Sequence, residues 1–307
     1  GAAARSVGSR RPVLLFGDSF AQCVTPSEDC WQSLLQSSPL GAEFCLLNYG
    51  VGGYGFDQSV LLMTRVLPLF ERSDPIVVIS LLVENDLDRS VLSLRDWPKC
   101  RYRLAGEDGL VLDGPVPEGV DAYLESHPLA IRSYLWEFVV HGTGLLPAGL
   151  HARVTREREL ITQTQELNRR LIALAVDELD QRGIEYFFLV FNGREPTRGD
   201  PARVWQEPFF LAELEARHTP YLLSEPFLCL AAASQGRSLD DYFILQGRGS
   251  NHLNAEGNGF VFEAFERGLR GEFDRASELR LARIRSSELS EGSRVHFERG
   301  DPHAGVA

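Results

Sequence analysis

The stretch VLLFGDSF, at residues 13–20, indicates how this chain folds. Its four leading apolar residues predict a short buried strand, and Gly17-Asp18 ends that strand with residues that favour a turn. Ser19 is therefore expected at the carboxyl end of a strand, directly before a helix. In an open α/β sheet, ligands bind at this edge. A serine there can act as a nucleophile if the chain also supplies a base and an oxyanion hole.

Strand-like and helix-like segments alternate along the rest of the chain, which is typical of an α/β fold. Short apolar segments predict parallel strands that are covered on both faces, and they lie at residues 12–16, 43–48, 75–82, 184–191 and 220–223. Helical patterns lie at residues 28–36, 58–71, 157–181, 201–217 and 254–267. Gly183 follows the third of these helices closely enough to end it.

The alternation predicts one large domain at residues 12–273. Residues 1–11 are expected to be a flexible leader or the remnant of a tag, and the charged segment 274–307 a peripheral helix followed by a flexible tail. Residues 92–150 interrupt the alternation after the third strand and are interpreted as an insertion. This insertion is either a cap over the site or a surface excursion with its own cluster of aromatic residues, which are Trp97, Tyr102, Tyr123, Tyr134 and Trp136.

The charge of the chain argues against two classes of partner. Its 31 Lys and Arg residues against 43 Asp and Glu residues give a net charge of −12. Nucleic acids and anionic membranes both require a basic surface, so neither is expected as a main partner. No apolar run reaches the length of a membrane span. The compartment is expected to be the cytoplasm if the chain is complete, and outside it if a signal or anchor segment has been removed.

The cysteines do not indicate a metal or redox site. There are five of them, at positions 23, 30, 45, 100 and 229, and no pair has CxxC spacing. A Cys23–Cys30 or a Cys100–Cys229 disulfide stays open at this point. No metal or cofactor is predicted.

Four short motifs carry the candidate chemistry. The first is GDSF at residues 17–20, and the second is the glycine-rich NYGVGGYG at residues 48–55, where backbone N–H groups can approach a substrate oxygen without intruding side chains. The third is END at residues 84–86, which offers a side-chain amide. The fourth is NHLNAEG at residues 251–257, just before the last predicted helix, with Asn254 as its N-cap.

Together these motifs resemble the four blocks of the SGNH (GDSL-type) hydrolase superfamily, in which Ser, Gly, Asn and His follow in this order. The resemblance extends over about residues 12–267, and the run NYGVGGYGFDQ at residues 48–58 resembles a bacterial, esterase-like branch. It implies a flavodoxin-like three-layer α/β/α sandwich with a parallel sheet, here with a cap-like insertion. It also implies ester hydrolysis without a cofactor.

The resemblance assigns a role to each motif. Ser19 would attack an ester carbonyl, and His252 would accept the serine proton and return it to the leaving alcohol. The oxyanion hole would consist of the backbone N–H groups of Ser19 and Gly53 with the side chain of Asn85. Asp18 and Asp86 are interpreted as structural residues that brace their loops.

The sequence departs from the superfamily pattern near the histidine. The family usually places an Asp two or three residues before it, and here those positions hold Ser250 and Gly249. His252 is then oriented by a backbone carbonyl or by Ser250, or Asp240 or Asp241 reaches it from upstream, or fast hydrolysis has been lost. The glycine of the third block is also replaced, by Val83.

The sequence therefore predicts a serine esterase that removes an O-acyl group from a small molecule or carbohydrate through an acyl-Ser19 intermediate. Two alternatives stay open. The same residues could serve an O-acyltransferase, which passes the acyl group to an alcohol instead of water. A protein without the family's Asp could also be a non-catalytic binding protein.

Overall fold

A five-stranded parallel sheet forms the centre of the computed structural model. The structure describes residues 9–70, 72–95, 98–106, 109–115, 119–126, 138–139, 147, 149–150, 157–193, 205–247 and 249–273. The strands of the central sheet are β1 (Arg11–Gly17), β2 (Phe44–Gly50), β3 (Ile76–Leu82), β6 (Glu185–Phe191) and β7 (Tyr221–Leu223). A separate antiparallel hairpin consists of β4 (Arg101–Ala105) and β5 (Gly109–Asp113).

Helices cover both faces of the central sheet. In chain order, the helices of the described residues are α1 (Ser19–Gln22), α2 (Trp31–Ser37), α3 (Phe56–Val66), α4 (Val83–Arg89), α5 (Gly119–Ser126), α6 (Glu157–Gln181), α7 (Gln206–Ala216), α8 (Glu225–Gln235) and α9 (Ala255–Leu269), and α5 buries no residue. Within the described ranges, no helix is long and apolar enough to cross a membrane.

Each strand of the sheet contributes to two cores, because successive side chains of a strand point to opposite faces. Val13 and Leu15 of β1 pack into the core under α2, α8 and α9. Leu14 and Phe16 pack into the core under α3, α4, α6 and α7. This double burial explains why the strands are continuous apolar runs, and it confirms the predicted three-layer α/β/α arrangement.

The order of the strands determines where the sheet binds ligands. It runs β2-β1-β3-β6-β7, with all neighbours parallel, which is the flavodoxin-like order. The chain moves outward in opposite directions from β1 and β3, and the crevice between their carboxyl ends is the usual ligand site of such a sheet. Ser19 follows β1 and Asn85 follows β3, so both lie at this crevice.

Part of the predicted insertion is described by the structure. Its hairpin β4–β5 packs through Tyr102 and Leu110 against the core under α3 and α6. The prediction that the insertion caps the site stays a prediction, because Trp97, Tyr134 and Trp136 lie outside the described residues. The predicted leader up to residue 8 and the predicted tail from residue 274 also lie outside them.

The open question of the disulfide has an answer in the structure. Cys23 and Cys30 form a disulfide, whereas Cys100 is a free thiol. The Asn258 side chain of α9 donates hydrogen bonds to Thr25 Oγ1 at 3.0 Å and to the Asp29 carbonyl at 3.2 Å. The disulfide-closed loop after α1 is thereby attached to the helix that follows His252.

Candidate active site

Ser19 is the first residue of the short helix α1, which begins directly after β1. The Asp18 carboxylate caps this helix by accepting a 2.9 Å hydrogen bond from the Phe20 N–H. Gly17 is required before the cap, because a Cβ there would lie 2.2 Å from Ser80 Oγ of the neighbouring strand. The turn therefore presents the Ser19 hydroxyl at the edge of the sheet, where it is partly accessible.

His252 comes to Ser19 from the other end of the chain. It lies in the segment between α8 and α9. Its Nε2 is 2.7 Å from Ser19 Oγ. The same hydroxyl also lies 3.3 Å from Asp18 Oδ2, a longer and weaker contact. The Ser19 and His252 side chains are thus in the geometry of a nucleophile and its general base.

Backbone carbonyls orient the imidazole. Its Nδ1 lies 3.1 Å from the Gly249 carbonyl oxygen and 3.2 Å from that of Ser250. A carbonyl can only accept a hydrogen bond, so Nδ1 carries the proton in the neutral ring. Nε2 is then left as the acceptor that faces the serine hydroxyl. This is the tautomer that a general base for Ser19 requires.

Neither contact at Nδ1 involves the side chain of Asp240, Asp241 or Ser250, the other residues predicted to orient His252. Asp241 accepts a 3.1 Å hydrogen bond from the Ser238 N–H and lies 3.6 Å from Arg237 Nε. Asp240 lies in the same short helical turn, where its N–H bonds to the Ser238 hydroxyl. Ser250 contacts Nδ1 through its carbonyl oxygen. Among the alternatives predicted from the sequence, the observed contacts are those of the backbone carbonyl.

The glycine-rich loop after β2 lies beside Ser19. A Cβ placed on Gly52 would be 3.8 Å from the Cβ of Ser19, and the Gly52 N–H donates to the Gln22 side chain at 2.8 Å. Gly53 has a φ of +84°, a conformation that favours glycine, and a Cβ there would meet the Arg95 guanidinium at 2.7 Å. A side chain at position 52 would meet Gln22 Oε1 at 2.6 Å, and one at position 53 would meet Arg95 in a conformation that favours glycine, so glycines suit both positions beside Ser19.

Asn85 lies exposed in the first turn of α4, at the carboxyl end of β3. None of the hydrogen bonds found among the described residues uses its side-chain amide, nor the N–H groups of Ser19 and Gly53. These are the three donors that the resemblance assigns to an oxyanion hole. All three follow the adjacent strands β1, β2 and β3, and each can donate to a substrate oxygen.

Two buried carboxyl groups lie beneath these donors. Asp18 is fully buried and Asp86 is 2% exposed. Burial raises the pKa of Asp18 above its ordinary value, against the opposing effects of the Phe20 N–H and Arg89. Burial also raises the pKa of Asp86 well above its ordinary value, and the Asp18 charge adds to this rise while Arg89 opposes it. The charge of Arg89 therefore favours the ionised form of both groups.

A second buried ion pair, Lys99–Asp57, lies next to the end of α4. Lys99 Nζ is 2.9 Å from Asp57 Oδ1 and 2.7 Å from the Arg89 carbonyl oxygen. Burial raises the pKa of Asp57 to about 6, although the neighbouring Lys99 charge lowers it. Burial lowers the pKa of Lys99, and Asp57 opposes that shift. Lys99 belongs to the insertion, so this pair attaches the insertion to the first turn of α3 and the last turn of α4.

Phe20 supports the imidazole from one side. Its ring stacks on His252 with a centroid distance of 5.0 Å, and it also packs on Phe191 of β6. Sequence reasoning assigned no role to Phe20 or Arg89. The spacing of Asp86 and Arg89, three residues apart, would have indicated an ion pair only if α4 had been predicted as a helix.

Across the residues for which the structure gives positions, no group of three or more His, Cys, Asp or Glu side chains is arranged to hold a metal ion. The polar groups at the crevice are a hydroxyl, an imidazole and hydrogen-bond donors. This arrangement suits nucleophilic attack on a carbonyl carbon.

Comparison with known proteins gives structural matches only, because no protein-family model and no curated protein matches the chain. The psychrotrophic esterase EstA from Pseudoalteromonas sp. is 12% identical, with a TM-score of 0.44 over 85% of this chain and 97% of that one. A structure described as a lipolytic protein of the G-D-S-L family from Desulfitobacterium hafniense DCB-2 is 12% identical, with a TM-score of 0.41 over 84% and 99% of the two chains.

A catalytic mutant of the acetylxylan esterase Axe2 from Geobacillus stearothermophilus is also 12% identical, with a TM-score of 0.42 over 85% of this chain and 94% of that one. These structures are of esterases and lipolytic proteins, the class of protein that the four sequence motifs resemble. At such low identities and TM-scores, the likeness does not extend to a substrate or to the role of any residue.

Proposed function

We propose that this chain is a serine esterase of the SGNH type, which hydrolyses a carboxylic ester through an acyl-Ser19 intermediate. The observation that carries the proposal is the 2.7 Å contact between Ser19 Oγ and His252 Nε2, in a ring whose Nδ1 faces two carbonyl oxygens. These contacts leave Nε2 ready to accept the serine proton. Small-molecule or carbohydrate O-acyl esters are the proposed substrates.

The proposed reaction has two halves. In the first, Ser19 Oγ bonds to the ester carbonyl carbon, its proton passes to His252 Nε2, and the carbonyl electron pair moves to the oxygen. The donors of Ser19, Gly53 and Asn85 would stabilise that oxyanion. The tetrahedral intermediate then expels the alcohol, which takes the proton from the imidazolium. In the second half, water repeats these steps on the acyl-enzyme and releases the acid.

Covalent labelling with a fluorophosphonate probe tests the nucleophile and its base. The wild type is expected to gain the mass of a single adduct, Ser19→Ala none, and His252→Ala an adduct that forms far more slowly. His218→Ala, which changes an exposed histidine in the turn after α7, is the matched control and is expected to label at the wild-type rate. A folded wild type without an adduct, or an adduct that persists in Ser19→Ala, would overturn the proposal.

Product analysis then identifies the acyl acceptor. Esters with acyl chains from acetyl to octanoyl are incubated with the wild type in the presence of a competing alcohol, and the free acid and the new ester are quantified. Hydrolysis predicts the free acid as the main product. A new ester as the main product would assign the same site to acyl transfer.

A further inference from the structure

We infer that Arg89 is a positioning residue, which fixes the three segments that carry the oxyanion donors relative to one another. The inference rests on the proposed esterase function, because only that function gives the three donors a common task. Arg89 is the last residue of α4, and its side chain is 16% exposed. Its side chain contacts Asp18, Asp86 and the Tyr54 carbonyl oxygen, none of which is a proposed reacting atom.

A single guanidinium nitrogen reaches all three segments. Nη1 of Arg89 lies 2.7 Å from Asp86 Oδ1, 3.4 Å from Asp18 Oδ2 and 3.4 Å from the Tyr54 carbonyl oxygen. Each acceptor is a direct sequence neighbour of a proposed donor. Asp86 follows Asn85, Asp18 precedes Ser19, and Tyr54 follows Gly53.

The burial of the two carboxylates makes this cation necessary. Asp18 and Asp86 are 0% and 2% exposed, and a nearby cation offsets the repulsion between two buried negative charges. Removing one partner of a buried ion pair leaves an uncompensated charge, which is costly. Without Arg89, the two carboxyl groups are expected to take up protons or to move apart, and either change shifts the loops that they cap.

Further contacts hold Arg89 itself in place. Lys99 Nζ donates to the Arg89 carbonyl oxygen at 2.7 Å, at the end of α4, and the Leu92 N–H donates to the same oxygen at 3.1 Å. On the other side, a Cβ on Gly55 would lie 2.9 Å from the Arg89 Cβ, so the loop after β2 packs directly on this residue. Arg89 therefore contacts the loop after β2 both through its guanidinium, at the Tyr54 carbonyl, and through its Cβ, at Gly55.

A displaced oxyanion donor weakens binding of the transition state more than binding of the substrate. Arg89→Met is thus expected to lower kcat about 100-fold, comparable to the loss of one donor, with KM changed by less than about threefold. Arg89→Lys retains the positive charge and is expected to recover part of the kcat. Arg101→Met is the matched control, because Arg101 is also a half-buried arginine that donates to a carbonyl, that of Val91, away from the site.

The experiment measures kcat and KM on a short-chain ester for the wild type and these three variants. Hydrogen exchange of the amides in residues 51–56 is measured on the same proteins, and faster exchange is expected in Arg89→Met alone. An unchanged kcat, a change confined to KM, or an equal loss in Arg101→Met would overturn the positioning role while the proposed function stands. A wild type without turnover would instead overturn the proposed function. In that case unchanged exchange in Arg89→Met overturns the inference, and faster exchange supports it.

Discussion

The two side chains that we propose to react, Ser19 and His252, are supported by different kinds of interaction. Ser19 stands on a buried strand end, above two buried carboxyl groups and the Arg89 cation. His252 lies in a loop with positive φ angles at Gly249 and Asn251, and neutral backbone carbonyls face its Nδ1. Ser19 is thus supported by buried carboxyl groups and a largely buried guanidinium, and His252 by backbone dipoles in a partly exposed loop.

This difference has a chemical consequence. In the proposed reaction, Nδ1 of the imidazolium meets the partial charges of two carbonyl groups, where a carboxylate would supply a full negative charge. The carboxyl group of Asp18 acts on the ring from the Ser19 side. The charges beneath Ser19 are buried and tightly coupled, so substitutions there are expected to disturb the structure. The histidine loop is partly exposed, so a new charge there is expected to be tolerated.

The largest expected effect comes from removing the base. His252→Ala is expected to lower kcat/KM for ester hydrolysis by about 10²- to 10⁴-fold, because Ser19 then has no general base. Steady-state kinetics on a short-chain ester provide the measurement, with His218→Ala as the control. A loss below tenfold would show that another group deprotonates Ser19.

The second largest effect is expected at Asn85, the exposed side chain in the first turn of α4. Asn85→Ala is expected to lower kcat about 100- to 1,000-fold, as the loss of an oxyanion donor does elsewhere. Asn85→Asp keeps the shape of the side chain but replaces the donor with an acceptor, so it is expected to be at least as damaging. If Asn85→Asp retained the wild-type kcat in the same assay, Asn85 would not be a donor to the oxyanion.

A new charge in the loop that carries His252 tests whether a carboxylate near Nδ1 raises the activity. Ser250→Asp places a carboxyl group on the residue whose carbonyl lies 3.2 Å from Nδ1. A partly exposed ion pair contributes about 1 kcal/mol or less, so kcat is expected to rise by no more than about fivefold. Ser250→Asn, which has the same shape without the charge, is expected to show no rise. Equal kcat values for the two variants would mean that the carbonyls already suffice.

The smallest effect on activity, and a measurable one on stability, is expected at Asp57. Its folded-state pKa of about 6 exceeds the ordinary value of 3.8, so the folded protein binds this proton more tightly than the unfolded chain. Its contribution to stability therefore grows as the pH falls from about 6 to 4, and is lost again as the pH rises through 6. Asp57→Asn lacks this contribution.

Chemical unfolding of both proteins at pH 7 and pH 4.5 measures the difference. The free energy of unfolding of the wild type, relative to Asp57→Asn, is expected to increase by about 1 to 3 kcal/mol at the lower pH. A difference that stays constant with pH would mean that Asp57 is not the group that titrates. Turnover of Asp57→Asn is expected to stay close to that of the wild type.

Strong local patterns made most of the elements predictable. The helix expected at residues 157–181 is observed as Glu157–Gln181, and the five predicted strands agree with the observed ones to within two residues. Three helices, α4, α5 and α8, were not predicted, and α1 was expected only as a helix directly after Ser19. Both α1 and α4 are short and lie beside the candidate site, so tertiary contacts such as the Asp18 cap and the Arg89 ion pairs stabilise them rather than their own pattern.

The sequence by itself determined the parallel α/β class and the candidate residues Ser19, Gly53, Asn85 and His252, because buried strands and turn residues leave local patterns. Only the tertiary structure decided what orients His252 and what lies beneath Ser19. Those contacts join residues far apart in the chain, such as Asp18 with Arg89, and involve backbone carbonyls that every residue possesses. Their position depends on how the loops pack, and no local sequence pattern records it.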